Sequence, residues 1–174
     1  GAFGVRGAFE EIKRYAANSN GRLTCVKMDV RDADQCGKAI AEFLEASNGN
    51  LDVLFNNAGV LATGPYSTID TEKYDNIVRV NCLGVSHMTQ KSIPALKATA
   101  KATGGEAVIV SMASLSAIAG IPNHALYAAT KAFVYNLTEG LRTELFLDGI
   151  RVHDVSTAYV DTPMVHSQKM EHFS

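Results

Sequence analysis

The stretch from Val108 to Phe133, VIVSMASLSAIAGIPNHALYAATKAF, decides the predicted fold. Its first residues are apolar and β-branched, which favours a buried strand. Its last residues, ALYAATKAF, are rich in alanine, which favours a helix. Gly120 and Pro122 interrupt the two runs and predict a loop. A strand, a loop and a helix in this order form one unit of a parallel α/β sheet.

Three polar side chains in this stretch are suited to proton chemistry. Tyr127 and Lys131 are four residues apart in the predicted helix, so their side chains share one face. A fixed cation favours phenolate over phenol, so Lys131 is expected to lower the pKa of Tyr127 from its ordinary value of about 10. Ser114 lies where the strand ends, and a hydroxyl there can steady a carbonyl oxygen. A surface tyrosine on an amphipathic helix and a solvated lysine are the alternative interpretation.

Strands and helices alternate along the rest of the chain, which predicts a parallel α/β sheet in one domain that spans residues 1–174. We expect two helices between Asp70 and Ala102, joined near Asn81. The other predicted helices are Arg6–Ala17, Asp32–Ala46 and Asn123–Phe146, and the predicted strands are Leu23–Met28, Leu51–Asn56, Ala107–Ser111 and Ile150–Ser156.

The composition is that of an ordinary globular protein, with 47% hydrophobic and 20% charged residues and a net charge of −2. No run of either charge favours nucleic acid or an anionic membrane as a partner. The uncharged stretch Ala107–Thr130 contains serine, glycine and proline, so it does not predict a membrane span. The histidines lack metal-ligand spacing, and no metal site is predicted. Three scattered cysteines predict reduced thiols and a cytoplasmic location.

Four short motifs occur in one order along the chain: NNAG at Asn56–Gly59, VNCLG at Val80–Gly84, Ser114, and YAATK at Tyr127–Lys131. In order and spacing they resemble the short-chain dehydrogenase/reductase family. The resemblance implies a Rossmann-like, doubly wound parallel sheet in three α/β/α layers. It also implies an NAD(P)-dependent oxidoreductase that interconverts a secondary alcohol and a ketone.

The resemblance also implies a set of catalytic residues. Tyr127 would be the general acid/base, and Lys131 would lower its pKa and hold the ribose hydroxyls of the cofactor. Ser114 would position the carbonyl. Asn81 would hold a water that supplies protons, although an amide at a helix junction is the structural alternative, and the two are compatible.

Cofactor contacts are implied at the ends of several predicted strands. Asp29 and the Val30 backbone would meet the adenine, although Asp29 also suits a helix N-cap or a turn. The asparagines of NNAG can either brace a neighbouring strand or contact the cofactor, and a turn is the alternative for the whole motif. The residues implied for cofactor binding are Asp29, Val30, Asn56, Ala58, Gly59, Tyr127, Lys131, Val160 and Thr162.

The chain departs from the family pattern in two places. Thr157 and Ala158 replace the usual Pro-Gly, which puts nicotinamide placement in doubt. The segment GAFGVRG has the wrong glycine spacing for a phosphate loop and resembles instead the end of the family's second strand and the helix after it. We therefore expect a partial sheet that lacks the first strand–helix unit and the last strand, with an open edge at Leu23–Met28. Such a chain is expected to bind cofactor poorly and to aggregate.

The cofactor is predicted to be NAD or NADP, and Arg6, near the end of the second strand, favours the phosphate of NADP unless it is simply a surface arginine. The expected partners are a small alcohol or ketone and, in the full-length protein, identical subunits in a homodimer or homotetramer. Two other functions stay open. One is a non-catalytic dinucleotide-binding or regulatory protein, which Thr157 and Ala158 favour. The other is a sugar-nucleotide epimerase or dehydratase, against which NNAG argues.

Overall fold

The computed structural model describes residues 5–21 and 23–160, with the side chains of the first helix from Glu10 onward. The α/β fold class is confirmed: helices alternate with three strands. The elements are α1 (Val5–Ala17), α2 (Ala33–Ala46), β1 (Val53–Asn56), α3 (Thr71–Val78), a π-helical segment (Arg79–Gly84), α4 (Val85–Thr103), β2 (Ala107–Met112), α5 (Ala125–Glu144) and β3 (Ile150–Val155).

The three strands form one parallel sheet in the order β1-β2-β3. Leu54 is paired with Ile109, and Ile109 with Val152, so these side chains point to the same face. Parallel neighbours require a crossover connection, and α4 and α5 supply the two that this sheet needs. The sheet has the parallel order expected of part of a doubly wound Rossmann-like fold.

Helices α4 and α5 pack against one face of the sheet. Leu96 of α4 and Leu145, just after α5, join the sheet residues in a single core cluster. On the opposite face, Val53 and Phe55 are each 54% exposed. The described residues therefore show two of the three layers that the resemblance implies.

The prediction of a strand at Leu23–Met28 is wrong. Among the described residues this segment lies outside the three-stranded sheet. Its alternating pattern suits a strand, but an extended segment becomes one only when a neighbour completes its hydrogen bonds. The edges of the described sheet are instead β1 and β3, each of which has β2 as its only strand neighbour there.

Helix ends follow local backbone chemistry. The carboxylates of Asp32 and Asp70 cap α2 and α3 by accepting from backbone N–H groups. Helix α5 was predicted from Asn123, but it begins at Ala125 because Asn123 has a left-handed φ of 62°. The predicted junction near Asn81 is confirmed as the π-helical segment between α3 and α4. Within the described residues, no helix combines the length and apolar character needed to cross a membrane.

Candidate active site

A cavity of about 430 Å³ opens where the three strands end. The loops that follow β1, β2 and β3 all contribute to its wall, and so does the first part of α5. The carboxyl ends of parallel strands are where open α/β sheets bind ligands. Ser114, Tyr127 and Lys131 all line this cavity, so the structure brings the three expected catalytic side chains to one place.

Ser114 stands at the carboxyl end of β2 and caps a short 3₁₀ turn, Leu115–Ala117. Its Oγ accepts hydrogen bonds from the Ser116 backbone N–H at 3.2 Å and from the Ser116 hydroxyl at 2.9 Å. The Ser114 hydroxyl also lies close enough to the Tyr127 phenol to lower the pKa of that phenol. The turn therefore holds the serine against the tyrosine.

The environment of Tyr127 differs from the expected one. Burial raises the pKa of the phenol, the hydrogen bond from Ser114 lowers it, and the nearby Tyr159 raises it. The expected lowering by Lys131 is not what this arrangement produces, because the net shift is upward. The Lys131 Nζ lies 5.7 Å from the Tyr127 ring centroid and donates to the Met112 carbonyl at 2.6 Å. The cost of burying a phenolate outweighs the distant cation.

Lys131 is only 7% exposed, and burial lowers the pKa of its ammonium. A Cβ added to Gly59 would stand 3.8 Å from the Lys131 Nζ and 3.5 Å from the Asn81 Oδ1. Gly59 therefore lies beside both groups, and it also lines the cavity. The NNAG motif thus brings backbone close to the lysine.

The Asn81 side chain is 1% exposed and makes three hydrogen bonds. Its Oδ1 accepts from the Val60 N–H at 2.8 Å, and its Nδ2 donates to the Val60 carbonyl at 2.9 Å and to the Thr130 hydroxyl at 3.0 Å. The amide therefore ties the loop after β1 to the π-helical segment and to α5. These bonds use both Nδ2 hydrogens and one of the two acceptor positions of the Oδ1, so a water at this side chain would have to donate to the Oδ1. The relay water stays a prediction.

Asn56 braces the sheet, which is one of the two roles the sequence allowed. Its side chain is 6% exposed and donates to the hydroxyls of Thr89 at 3.0 Å and Ser111 at 3.3 Å. Ala58 is exposed and, like Asn56, is not among the cavity residues. Asn57, the other asparagine of NNAG, does line the cavity. Direct cofactor contacts by Asn56 and Ala58 stay predictions.

Asp29 and Val30 lie outside the cavity wall. The Asp29 carboxylate accepts from the Arg31 backbone N–H and guanidinium, and these bonds lower the pKa of Asp29 to about 2. Arg31 also donates to Asn76 in α3 at 2.9 Å. The Asp29 carboxylate, which the resemblance implies would meet the adenine of the cofactor, is therefore already bound by the neighbouring Arg31.

Val30 is held against α4. Its carbonyl lies 3.2 Å from the His87 Nδ1. A Cβ at Gly84 would stand 2.8 Å from the Val30 Cγ2, so glycine at the end of VNCLG allows this approach. The motif residue thus positions the Asp29 segment by packing.

The segment after β3 reaches the cavity despite the loss of Pro-Gly. The Thr157 carbonyl accepts from the Leu115 N–H at 3.1 Å, which extends the β2–β3 pairing beyond the strands. Thr157, Ala158 and Val160 line the cavity. Thr162 and the side chain of Arg6 lie outside the described residues, so the predictions made for them stay predictions.

Among the cavity residues that the sequence analysis did not single out, two carry hydroxyl groups, Ser116 and Tyr159. His124, the residue just before α5, also lines the cavity, and its ring meets the Tyr159 ring edge to face with 6.4 Å between centroids. The one available signal for Ser116 was its position two residues after Ser114 at a strand end. Within residues 5–21 and 23–160, no group of three or more histidine, cysteine or acidic side chains is arranged to hold a metal ion.

Comparison with known proteins gives a family. The family model for short chain dehydrogenase matches residues 5–172. Oxidoreductase UcpA from Salmonella typhimurium is 34% identical over 161 residues, which cover 91% of this chain and 59% of that protein. The chain therefore spans less than two thirds of this curated relative.

Two solved structures share the fold. The 3-ketoacyl-(acyl-carrier-protein) reductase from Brucella melitensis, complexed with NADH, has a TM-score of 0.76 and 35% identity and covers 81% of this chain and 58% of its own. ElxO with NADP bound has a TM-score of 0.80 and 26% identity and covers 91% of this chain and 63% of its own. With a family match over nearly the whole sequence, the chain belongs to the short-chain dehydrogenase/reductase family.

Proposed function

We propose that the full-length protein is an NAD(P)-dependent oxidoreductase that interconverts a secondary alcohol and a ketone, with Tyr127 as general acid/base. One observation carries the proposal: Ser114, Tyr127 and Lys131 line a single cavity, where the Ser114 hydroxyl is near enough to lower the pKa of the Tyr127 phenol. A hydroxyl and a phenol that line one cavity side by side can both reach a single carbonyl oxygen.

The residues present suit the nicotinamide half of such a cofactor. An ammonium has three N–H donors. Among the described residues, the hydrogen bond of the Lys131 Nζ goes to the Met112 carbonyl, which leaves two donors for ribose hydroxyls. Gly59 keeps the space beside this ammonium free of a side chain, and Val160 lies on the same cavity wall. When bound, the nicotinamide would supply or accept the hydride.

In the proposed reaction, Ser114 orients the carbonyl and Tyr127 donates a proton to its oxygen in the reductive direction. The raised pKa of Tyr127 keeps the phenol protonated in this arrangement, which suits a proton donor. In the oxidative direction the phenol must first lose its proton, so a positive charge that comes closer to its oxygen would be needed. Rotation of Lys131 away from Met112 would provide that charge.

The relatives support this assignment through what their names state. One is a 3-ketoacyl reductase with NADH, and another holds NADP. They support a nicotinamide dinucleotide here and leave both NAD and NADP within the proposal. The proposal also includes a full-length protein that assembles as two or four identical subunits in the cytoplasm.

Replacement of Tyr127 by phenylalanine tests the proposal in the full-length protein. Turnover of NADH or NADPH with a panel of ketones should fall by about 10²- to 10⁴-fold, because the variant loses the proton donor. Cofactor binding, followed by nicotinamide fluorescence, should change little. Tyr135→Phe, on α5 but outside the cavity wall, is the matched control and should retain activity. Full turnover by Tyr127→Phe would remove Tyr127 from the mechanism.

A non-catalytic dinucleotide-binding protein is the second candidate. The bond from Lys131 to Met112 and the raised pKa of Tyr127 favour it, because both leave the phenol without an activating cation. Tight binding of cofactor with no turnover across the ketone and alcohol panel would support this candidate over the enzyme.

A further inference from the structure

Ser116 has no part in the reaction proposed above, yet it makes two contacts with the expected catalytic serine. It is 6% exposed and lies in the 3₁₀ turn that follows β2. Its backbone N–H and its hydroxyl both donate to the Ser114 Oγ, at 3.2 Å and 2.9 Å. Two donors from one residue therefore converge on a single oxygen.

This convergence determines what the Ser114 hydroxyl can do. A serine hydroxyl has two acceptor positions and one hydrogen to donate. Ser116 occupies both acceptor positions, so Ser114 can only donate towards its remaining neighbour. That neighbour is the Tyr127 phenol, which lines the same cavity and whose pKa the Ser114 hydroxyl lowers.

We propose that Ser116 is a positioning residue: its hydroxyl forces Ser114 to act as a donor, towards the Tyr127 oxygen before substrate binds and towards a carbonyl oxygen once one binds between them. This proposal rests on the proposed function for its consequence in catalysis. The hydrogen bond from the Ser116 hydroxyl to the Ser114 Oγ is a property of the folded chain without substrate.

A purely structural role for Ser116 makes a different prediction. The bond from the backbone N–H to Ser114 already stabilises the turn, as a helix cap does. That bond survives when the Ser116 side chain is shortened. A purely structural role therefore predicts that loss of the hydroxyl changes little at Tyr127. The positioning role predicts instead that this loss frees one acceptor position on Ser114, which lets Tyr127 donate to Ser114.

Which of the two hydroxyls, Ser114 or Tyr127, donates to the other can be measured at Tyr127. Donation from Ser114 stabilises the phenolate, whereas donation from Tyr127 stabilises the phenol. Tyrosine labelled with ¹³C at Cζ gives an NMR resonance that follows the ionisation of each phenol, and Tyr127→Phe identifies the one that belongs to Tyr127. In Ser116→Ala the apparent pKa of Tyr127 should rise by about 0.5 units.

Three variants make the test specific. Ser116→Thr retains a hydroxyl and should restore the original value, while Ser116→Cys, with a similar size and a much weaker donor, should behave like Ser116→Ala. If Ser116→Ala does not fold, Ser116→Cys gives the answer. Ser92→Ala removes another buried hydroxyl, one that does not line the cavity, and should leave the resonance unchanged.

An unchanged Tyr127 titration in both Ser116→Ala and Ser116→Cys would overturn the proposal, and so would an equal shift in Ser116→Thr. Because the measurement needs no turnover, its outcome is independent of whether the protein reduces ketones. In a form that does turn over, the same shift should appear in the pH profile of kcat, with a smaller change in KM.

Discussion

The catalytic corner (Ser114, Tyr127 and Lys131) and the Asp29 segment (residues 23–30) are positioned by different means. In the corner, Ser114 follows β2 directly, and the segment after β3 is hydrogen-bonded beside it. The Asp29 segment has no strand partner in the described sheet. Arg31 links Asp29 to α3, and Val30 contacts Gly84 of the π-helical segment and His87 of α4. Backbone pairing fixes the first region, and side-chain contacts hold the second.

This difference between the two regions indicates which of them contributes more to the stability of the fold. Core residues under the sheet support the corner, since Leu96, Ile109 and Val152 pack in one cluster below it. The apolar residues of the Asp29 segment are exposed or half-buried. We therefore expect equal truncations in the two regions to have unequal effects.

The largest effect should come from Leu96→Ala. Leu96 is fully buried, so the change leaves a cavity and should lower the free energy of unfolding by about 2 to 5 kcal/mol. Leu23→Ala is the matched control in the Asp29 segment, where Leu23 is 43% exposed, and it should cost less than about 1 kcal/mol. Urea unfolding followed by circular dichroism measures both. Equal losses would contradict the proposed contrast.

A smaller effect is expected from the two asparagines that connect each region to the helices. Asn81→Ala removes three buried hydrogen bonds and leaves the Val60 backbone without its partner, which should cost about 1 to 3 kcal/mol. Asn76→Ala loses the one bond from Arg31 at the surface and should cost much less. If urea midpoints shift equally for both variants, Asn81 does not support the corner as described.

The smallest effect should be the titration of Asp29. Its folded pKa lies near 2, below the ordinary 3.8, because Arg31 binds the ionised carboxylate. The stabilisation is therefore present above about pH 4 and is lost as the pH falls through 2. Carboxyl NMR of Arg31→Gln should show the pKa of Asp29 return towards 3.8. A wild-type value already near 3.8 would show that the Asp29–Arg31 pair does not form in solution.

Much of the fold could be predicted from local pattern. The helices at Asp32–Ala46 and between Asp70 and Ala102, and the strands at Ala107–Ser111 and Ile150–Ser156, agree with the structure to within a few residues. Leu23–Met28 could not be predicted correctly from its pattern, because pairing with another strand is a long-range condition that alternation does not contain.

The candidate site, like the fold, could be predicted from the sequence only in part. The order of NNAG, VNCLG, Ser114 and YAATK indicated which residues meet, and Ser114, Gly59, Tyr127 and Lys131 do meet. The sequence did not indicate that Asn56 would turn towards Thr89 and Ser111, or that Arg31 would bind the Asp29 carboxylate. These partners depend on side-chain directions that only the assembled helices and strands define.

By itself, the sequence determined the family, the α/β order and the one-turn spacing between Tyr127 and Lys131, because these depend on residue type and on separation along the chain. Only the tertiary structure decided the electrostatics of the pair. The Lys131 ammonium turns to the Met112 carbonyl, and burial raises the pKa of Tyr127. Desolvation depends on everything packed around a group, and no local spacing encodes it.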